Sequence, residues 1–318
     1  MNSDNEKAQA QKALVMLLLG GLAIGFAPIL ARMSEVGPIS TAFWRGVFAL
    51  FLLAGIHRAR MPRTRQGNGS GWEVLLQAGL PGVLLAGDLA TWHLSLTMTS
   101  VANATLLVNI SPIFVAIASW AILRQPVHRN VLWGLVTAIT GIIVLKGGLA
   151  GLADGDQWKG DAVALTAALF LSGYMILMTQ VRGKYSTLTV MLASTITMTC
   201  VLLPLAWFIE PDFLPRTWYG WMIVAVMGVL CHVIGQGFIA YSLAFLPAAF
   251  SSLTLLIQPV IAAILAWIIL HEPVSVLQAC GGILVLFGIV IARRQPVIQP
   301  QEKRRTDSLT DSTDQGAD

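Results

Sequence analysis

The fold is decided by two stretches read together: Val101-Ala-Asn-Ala-Thr-Leu-Leu-Val-Asn-Ile-Ser-Pro-Ile-Phe-Val-Ala-Ile-Ala-Ser-Trp-Ala-Ile-Leu123 and Ala248-Ala-Phe-Ser-Ser-Leu-Thr-Leu-Leu-Ile-Gln-Pro-Val-Ile-Ala-Ala-Ile-Leu-Ala-Trp-Ile-Ile-Leu270. A shift of 147 residues, without a gap, lays Pro112 on Pro259 and Trp120 on Trp267. The same shift carries Pro126-Val127 onto Pro273-Val274, Gly134 and Gly141 onto Gly281 and Gly288, and Ser95-Leu96 onto Ser242-Leu243. Apolar matches come cheaply in an apolar chain, but Trp and Pro matches in one register do not. Each stretch is also long enough to cross a hydrocarbon core of ~30 Å, which takes about 20 residues.

Eight further apolar runs flank these two, giving expected spans at 13–31, 38–56, 73–93, 101–123, 130–148, 160–181, 188–209, 218–241, 248–270 and 275–292. Turn and charge signals separate them, as in Glu35-Val-Gly-Pro38 and Glu210-Pro-Asp-Phe-Leu-Pro215. The 318 residues are 56% hydrophobic and 11% charged, with a mean hydropathy of +0.73. Soluble domains carry about 25% charged residues, and surface-to-volume scaling limits how much apolar surface a soluble fold hides. The expected fold is an all-α membrane protein of ten helices, built as two five-helix repeats around a central cavity. Five is odd, so the second repeat enters the membrane inverted, an arrangement common among secondary transporters. The expected organisation is an N-terminal segment at 1–12, a first repeat at 13–148, a linker at 149–159, a second repeat at 160–292 and a disordered tail at 293–318. The mixed-charge N-terminus, with no small-residue cleavage site after its apolar run, reads as leading into a retained first span.

Charge gives the orientation. Fifteen Lys and Arg fall in the connections on the side of the two termini, against four (Arg32, Lys146, Lys159 and Arg216) on the other. By the positive-inside rule both termini are cytoplasmic. The same placement explains the pI of about 9.1 as membrane topology, with no nucleic acid as partner. Cys200, Cys231 and Cys280 lie inside apolar runs, far from any CxxC or His cluster, and read as small buried side chains without metal or cofactor.

The candidate site residues are the polar ones within the spans. Pro112 and Pro259 each lie about eleven residues into a span, near the bilayer midplane at 1.5 Å per residue. Proline there frees a backbone carbonyl that must find a partner in the absence of water. Asn109, Ser111 and Gln258 beside these kinks are candidate substrate ligands, though a packing kink whose Ser or Gln satisfies the backbone would look the same. On the fourth span Thr105, Asn109, Ala116 and Trp120 share a stripe that suits a cavity lining or a helix-packing face. Arg45 and Asp88 are the only full charges well inside the spans. Their similar distance from the outer ends predicts an ion pair, serving as an outer gate, a proton site or a static strut. His93 lies at the same level. His232 and Gln236, four residues apart, are candidates for substrate or proton contact or for a plain carbonyl bond. Trp44 and Trp92 fall where an interfacial belt would lie, and Trp92 adds a candidate substrate contact.

Phe43-Trp44-Arg45, Thr99-Ser-Val-Ala-Asn-Ala-Thr105, Asn109-Ile-Ser-Pro112, Leu256-Ile-Gln-Pro259 and His271-Glu272-Pro273 give the chain, from about 13 to 292, a resemblance to the EamA type of the drug/metabolite transporter superfamily. The resemblance implies a cavity between the halves lined by spans three, four, eight and nine. It also implies transport of a small organic solute such as an amino acid, as efflux across a bacterial inner membrane. Uptake of a nucleoside, vitamin or similar solute is the alternative direction, and a receptor or scaffold is the alternative class. Members of that superfamily commonly end the fourth span with glutamate, where this chain has Gln125; the second half keeps Glu272. Protons are a candidate coupling partner, and monomer and homodimer both stay open. A membrane enzyme would need paired intramembrane acids or an HExxH helix, and a channel a ring of like charges; the sequence has neither motif, and the expectation is no enzyme.

Reporter fusions at Asp318 and within Asp154–Asp156 test the orientation: they should report opposite sides of the membrane, and the same side for both would overturn the span count.

Overall fold

The computed structural model describes residues 2–60, 71–95, 98–99, 104, 107–145, 158–271 and 275–293. The expected linker between the repeats up to residue 157, the tail beyond Arg293, Thr105, Glu272 and Pro273 lie outside the described residues. All regular structure among the described residues is helical. The helices are α1 (Asn2–Gly25), α2 (Ala27–Arg32), α3 (Pro38–Arg60), α4 (Gly71–Ser95), α5 (Ser111–Ala121), α6 (Arg129–Leu145), α7 (Trp158–Arg182) and α8 (Thr187–Ile209). They continue with α9 (Trp218–Val226), a π-helical segment (Met227–Gln236), α10 (Gly237–Ser242), α11 (Ala248–Thr254), α12 (Ile257–Leu270) and α13 (Val276–Arg293).

Seven helical stretches are long and apolar enough to cross a bilayer: Lys7–Arg32, Pro38–Ala59, Trp72–Ser95, Trp158–Arg182, Thr187–Ile209, Trp218–Ser242 and Ala248–Ile269. The helices Ser111–Ala121, Arg129–Val144 and Val276–Ala292 are apolar but shorter. Large side chains such as Phe51 and Phe208, 74% and 83% exposed, turn outward, as a lipid-facing surface requires. Of the three cysteines only Cys231 is buried; Cys200 and Cys280 are exposed, which corrects the expectation that all three fill the core. An apolar side chain gains as much from lipid as from protein, so burial does not follow from hydrophobicity here.

Sequence neighbours pack less on each other than on the opposite half. α4 lies against α7 and α8, and the α9–α10 stretch lies against α1 and α3. Helix α3 packs on α8, α5 on α7 and α11, α1 on α12, and α6 on α13. Close approaches fix these contacts. A Cβ on Gly134 would sit 2.5 Å from the Gly288 carbonyl oxygen, and one on Gly288 would sit 2.6 Å from that of Gly134. A Cβ on Gly141 would meet the Gly281 carbonyl at 2.8 Å. Helices α6 and α13 therefore run antiparallel, with glycine backbones pressed together. At Gly82 a Cβ would lie 1.9 Å from the Ser194 oxygen, where α4 crosses α8.

The 147-residue register reappears in the backbone. Arg124 and His271, one register apart, are the non-glycine residues with positive φ, at 52° and 54°, among the described residues. Each follows an apolar helix, α5 or α12, and a left-handed residue is a common way to stop one.

Gly82→Ala and Gly134→Ala should each lower the melting temperature of detergent-purified protein, because the added methyl meets backbone that cannot swing away; overpacking costs about 1–3 kcal/mol. Gly55→Ala, with nothing within 4 Å of its Cβ position, is the control and should melt with the wild type.

Candidate functional site

Both marked prolines sit at breaks. The fourth span turns at Asn109–Ile110 before α5 begins at Ser111, and the ninth turns at Leu255–Leu256 between α11 and α12. Pro112 occupies the first turn of α5 and Pro259 that of α12, where a missing N–H costs nothing. The chain tightens to i→i−3 bonds at both places: Ile110 N donates to Leu107 O (3.2 Å) and Leu256 N to Leu253 O (3.1 Å). The Ser172 hydroxyl lies 3.0 Å from the Ser111 carbonyl and 2.6 Å from that of Ala168, joining α7 to the first break. Gly25, one register before Ser172, lies against the second break, where its Cβ would meet the Gln258 carbonyl at 3.6 Å. Ser111 and Pro112 are buried; Asn109, Gln258 and Pro259 are half-buried.

The other candidates gather elsewhere, around Arg45. Arg45 lies where α3 packs on the π-helical segment that carries His232 and Gln236, a Cβ on Gly228 there meeting the Arg45 carbonyl at 2.9 Å, and Asp88, Trp92 and His93 lie on α4. Arg45 and Asp88 are each 8% exposed. They share this neighbourhood without a direct ion pair or hydrogen bond between them, and Arg45 Nε has no hydrogen-bond partner. His93 turns back on its own helix and donates Nδ1–H to Leu89 O (2.6 Å). Trp92 is half-buried with its ring 4.7 Å from that of His93.

His232 has a defined tautomer. The Thr195 hydroxyl donates its single proton to Met191 O (2.6 Å). It must then accept at its 2.8 Å contact with His232 Nε2, so Nε2 carries the proton. Nδ1 is left as a bare, buried acceptor with no partner. Gln236 Oε1 accepts from the Tyr174 hydroxyl at 3.2 Å. Both His232 and Gln236 sit on the π-helical turns, a local widening often found at functional sites.

Above this cluster the halves exchange helix caps. The Glu210 carboxylate, at the end of α8, accepts the Ile39 and Ser40 amides at the start of α3, both at 2.7 Å. The Glu35 carboxylate, before α3, accepts the Arg216 and Thr217 amides at the start of α9 (3.0 and 2.9 Å) and the Thr217 hydroxyl. Each carboxylate meets the positive end of a helix from the other half. The Thr217 hydroxyl and amide hold Glu35 below its ordinary value of 4.5. A depressed carboxylate stabilises fully above its unfolded pKa and loses that contribution as pH falls through the lower folded value, so this cap is intact at neutral pH. Phe43, Trp44, Phe213 and Trp221 pack between the caps, with ring centroids 4.8–5.6 Å apart in successive pairs. Trp44 donates its indole N–H to Phe213 O (2.8 Å), so it is part of this plug.

Sequence reading missed Tyr174, Thr195 and the cap exchange. Tyr174 was findable as a polar-tipped aromatic in mid-span. Thr195 is one of many span hydroxyls, and only its contact with His232 singles it out.

The sequence profile of the EamA-like transporter family matches the chain twice, over residues 11–146 and 158–294. The protein belongs to that family, and with its apolar helices it is a multi-pass membrane transporter. An uncharacterized transporter of Archaeoglobus fulgidus is 26% identical over 90% of this chain and 97% of its own length. The pseudopaline exporter of Pseudomonas aeruginosa is 24% identical over 78% and 82%. A probable terminal-alkyne amino-acid exporter of Streptantibioticus cattleyicolor is 25% identical over 80% and 82%. A chain solved by crystallography has the same fold, with a TM-score of 0.72 at 18% identity over 90% of this chain and 98% of that one.

Thr195→Val should strand the His232 Nε2–H in the core and lower stability by about 1–3 kcal/mol, the usual cost of a buried unmet donor. Thr195→Val with His232→Phe removes donor and acceptor together, and should melt closer to the wild type than the single variant does. Equal or additive losses would show that the bond is not made.

Proposed function

We propose that the protein is a secondary transporter that moves a small organic metabolite, an amino acid or a similar solute, outward across a bacterial inner membrane by alternating access. The observation that carries this reading is the pair of broken spans at Asn109–Ile110 and Leu255–Leu256. At both places the regular helical ladder gives way to i→i−3 bonds, and secondary transporters build their substrate sites at irregular turns within spans. Asn109, Ser111 and Gln258 line the path, and Arg45, Asp88 and His93 govern gating or coupling. The polar cluster between the halves and the cap exchange on one side of it supply a site and a closure.

Ten spans in two inverted repeats complete the proposal. Counting the three shorter apolar helices with the seven long stretches gives ten. The Gly134–Gly288 and Gly141–Gly281 contacts interchange when the halves are swapped by the 147-residue register. A two-fold axis across the helices produces that interchange between antiparallel α6 and α13. Both termini then face the cytoplasm, and 13–148 and 160–292 are the two units. The names of the relatives, an exporter of pseudopaline and a probable exporter of an amino acid, support efflux of a polar metabolite.

Purified protein in liposomes loaded with radiolabelled amino acids should release at least one of them faster than protein-free vesicles do. Asn109→Ala and Gln258→Ala should slow that release several-fold, about what one lost hydrogen bond is worth, with expression unchanged. Normal flux in both variants would remove the breaks from the substrate path; no flux of any solute pool would end the transporter reading.

A further inference from the structure

Where α5 ends, Trp120, Ala121, Arg124 and Pro126 line an open groove of about 560 Å³. Trp120 is 68% exposed, and Ile117, one turn back along the same face, is exposed as well. Among the described residues the Arg124 side chain makes no hydrogen bond or ion pair. The turn itself does not require an arginine. His271, one register on, stops α12 with the same left-handed backbone, φ 54° against 52°, and Trp267 repeats Trp120 as an exposed ring. The two copies share the tryptophan and the turn and differ in charge: only the α5 copy holds a permanent cation. In the ten-span arrangement proposed above, four crossings bring the chain at the end of α5 back to the side of the N-terminus, and the end of α12 lies on the other side. The connection after α5 adds His128 and Arg129, in keeping with the basic bias of the cytoplasmic face.

We propose that the groove at the end of α5 binds one anionic phospholipid of the cytoplasmic leaflet, its phosphate on Arg124 and an acyl chain running past Trp120 along Ile117. The guanidinium offers a phosphate two parallel N–H bonds, and a tryptophan at headgroup level covers the glycerol region with its apolar body. The volume suits a compact organic group, here the headgroup with its glycerol, while the tail lies in ordinary bilayer. A zwitterionic lipid brings its own cation, which Arg124 repels, so the site selects by net charge. The cytoplasmic leaflet carries the negative surface potential, and it is the leaflet that the arginine copy faces. The histidine copy faces the other. The inference rests on the span arrangement above and not on which solute is carried.

The test uses the full chain purified in a neutral detergent, titrated with dioleoylphosphatidylglycerol or dioleoylphosphatidylcholine and read by native mass spectrometry. One phosphatidylglycerol should bind per chain at concentrations where phosphatidylcholine does not. Arg124→Gln should weaken phosphatidylglycerol about 5-fold or more, the effect of one basic residue at an anionic surface, and leave phosphatidylcholine unchanged. Arg124→His gives α5 the residue that α12 already carries at its left-handed turn. It should behave like Arg124→Gln at pH 8 and recover at pH 5.5, where the imidazole is charged, while the wild type binds alike at both; this variant decides if Arg124→Gln does not fold. Arg129→Gln, which removes a charge from the same connection outside the groove, should bind as the wild type does. Equal binding of both lipids by the wild type, or equal losses in Arg124→Gln and Arg129→Gln, would show diffuse attraction only and overturn the site. Displacement of the lipid by sn-glycerol 1-phosphate at matched concentration would make the groove a free-anion site and overturn the lipid. None of these readouts uses flux, so failure of the lipid site leaves the transporter reading standing, and absence of flux leaves the lipid site standing.

Discussion

Hydrocarbon offers no hydrogen bonds, so each polar group placed in it must be satisfied from within the protein. Most hydroxyls on these helices meet the demand locally by donating to the carbonyl four residues back. Thr91, Thr137, Thr140, Thr166, Thr179 and Thr254 all do so, at 2.6–2.9 Å. Their protons stay within the parent helix. Against that background, a buried group that could not be met locally stands out. Arg45 Nε and His232 Nδ1 are two such groups, and they share one neighbourhood.

The same rule shapes the packing between halves. A helix end within or near the membrane needs acceptors for its first amides, and each half provides them for the other through Glu35 and Glu210. Glycine backbones touch where α6 meets α13, and Ser172 and Gly25 sit at the breaks of the opposite half. Neither half is complete alone: its helix caps, the cover over its break and part of the Arg45 cluster come from the other.

The internal repeat, the apolar spans and the two proline sites could be read from the chain because they are local facts. Hydropathy over about 20 residues, a Pro with its missing N–H, and a Trp recurring at fixed spacing need no partner to be recognised. Arg45 and Asp88 also stood out, since a full charge inside an apolar run is costly wherever it folds. Most helix ends were legible to within a few residues for the same reason, but α1 begins at Asn2, eleven residues before the expected first span, and α5 at Ser111, ten after the expected start of the fourth.

Only tertiary structure decided whether those charges meet. The sequence puts Arg45 and Asp88 at similar depth, which suggests a direct pair; with α3 packed on the π-helical segment and α4 on α7 and α8, no ion pair closes between them. Whether a span proline bends a helix or begins one depends on backbone bonds around it, and here Pro112 and Pro259 each lie in the first turn after a break. The tautomer of His232 follows from a threonine 37 residues away, and the caps join residues 170 and more apart. Such long-range pairings leave no periodicity in a sequence, because nothing within one helix distinguishes the residue that will meet its partner from the many that will not.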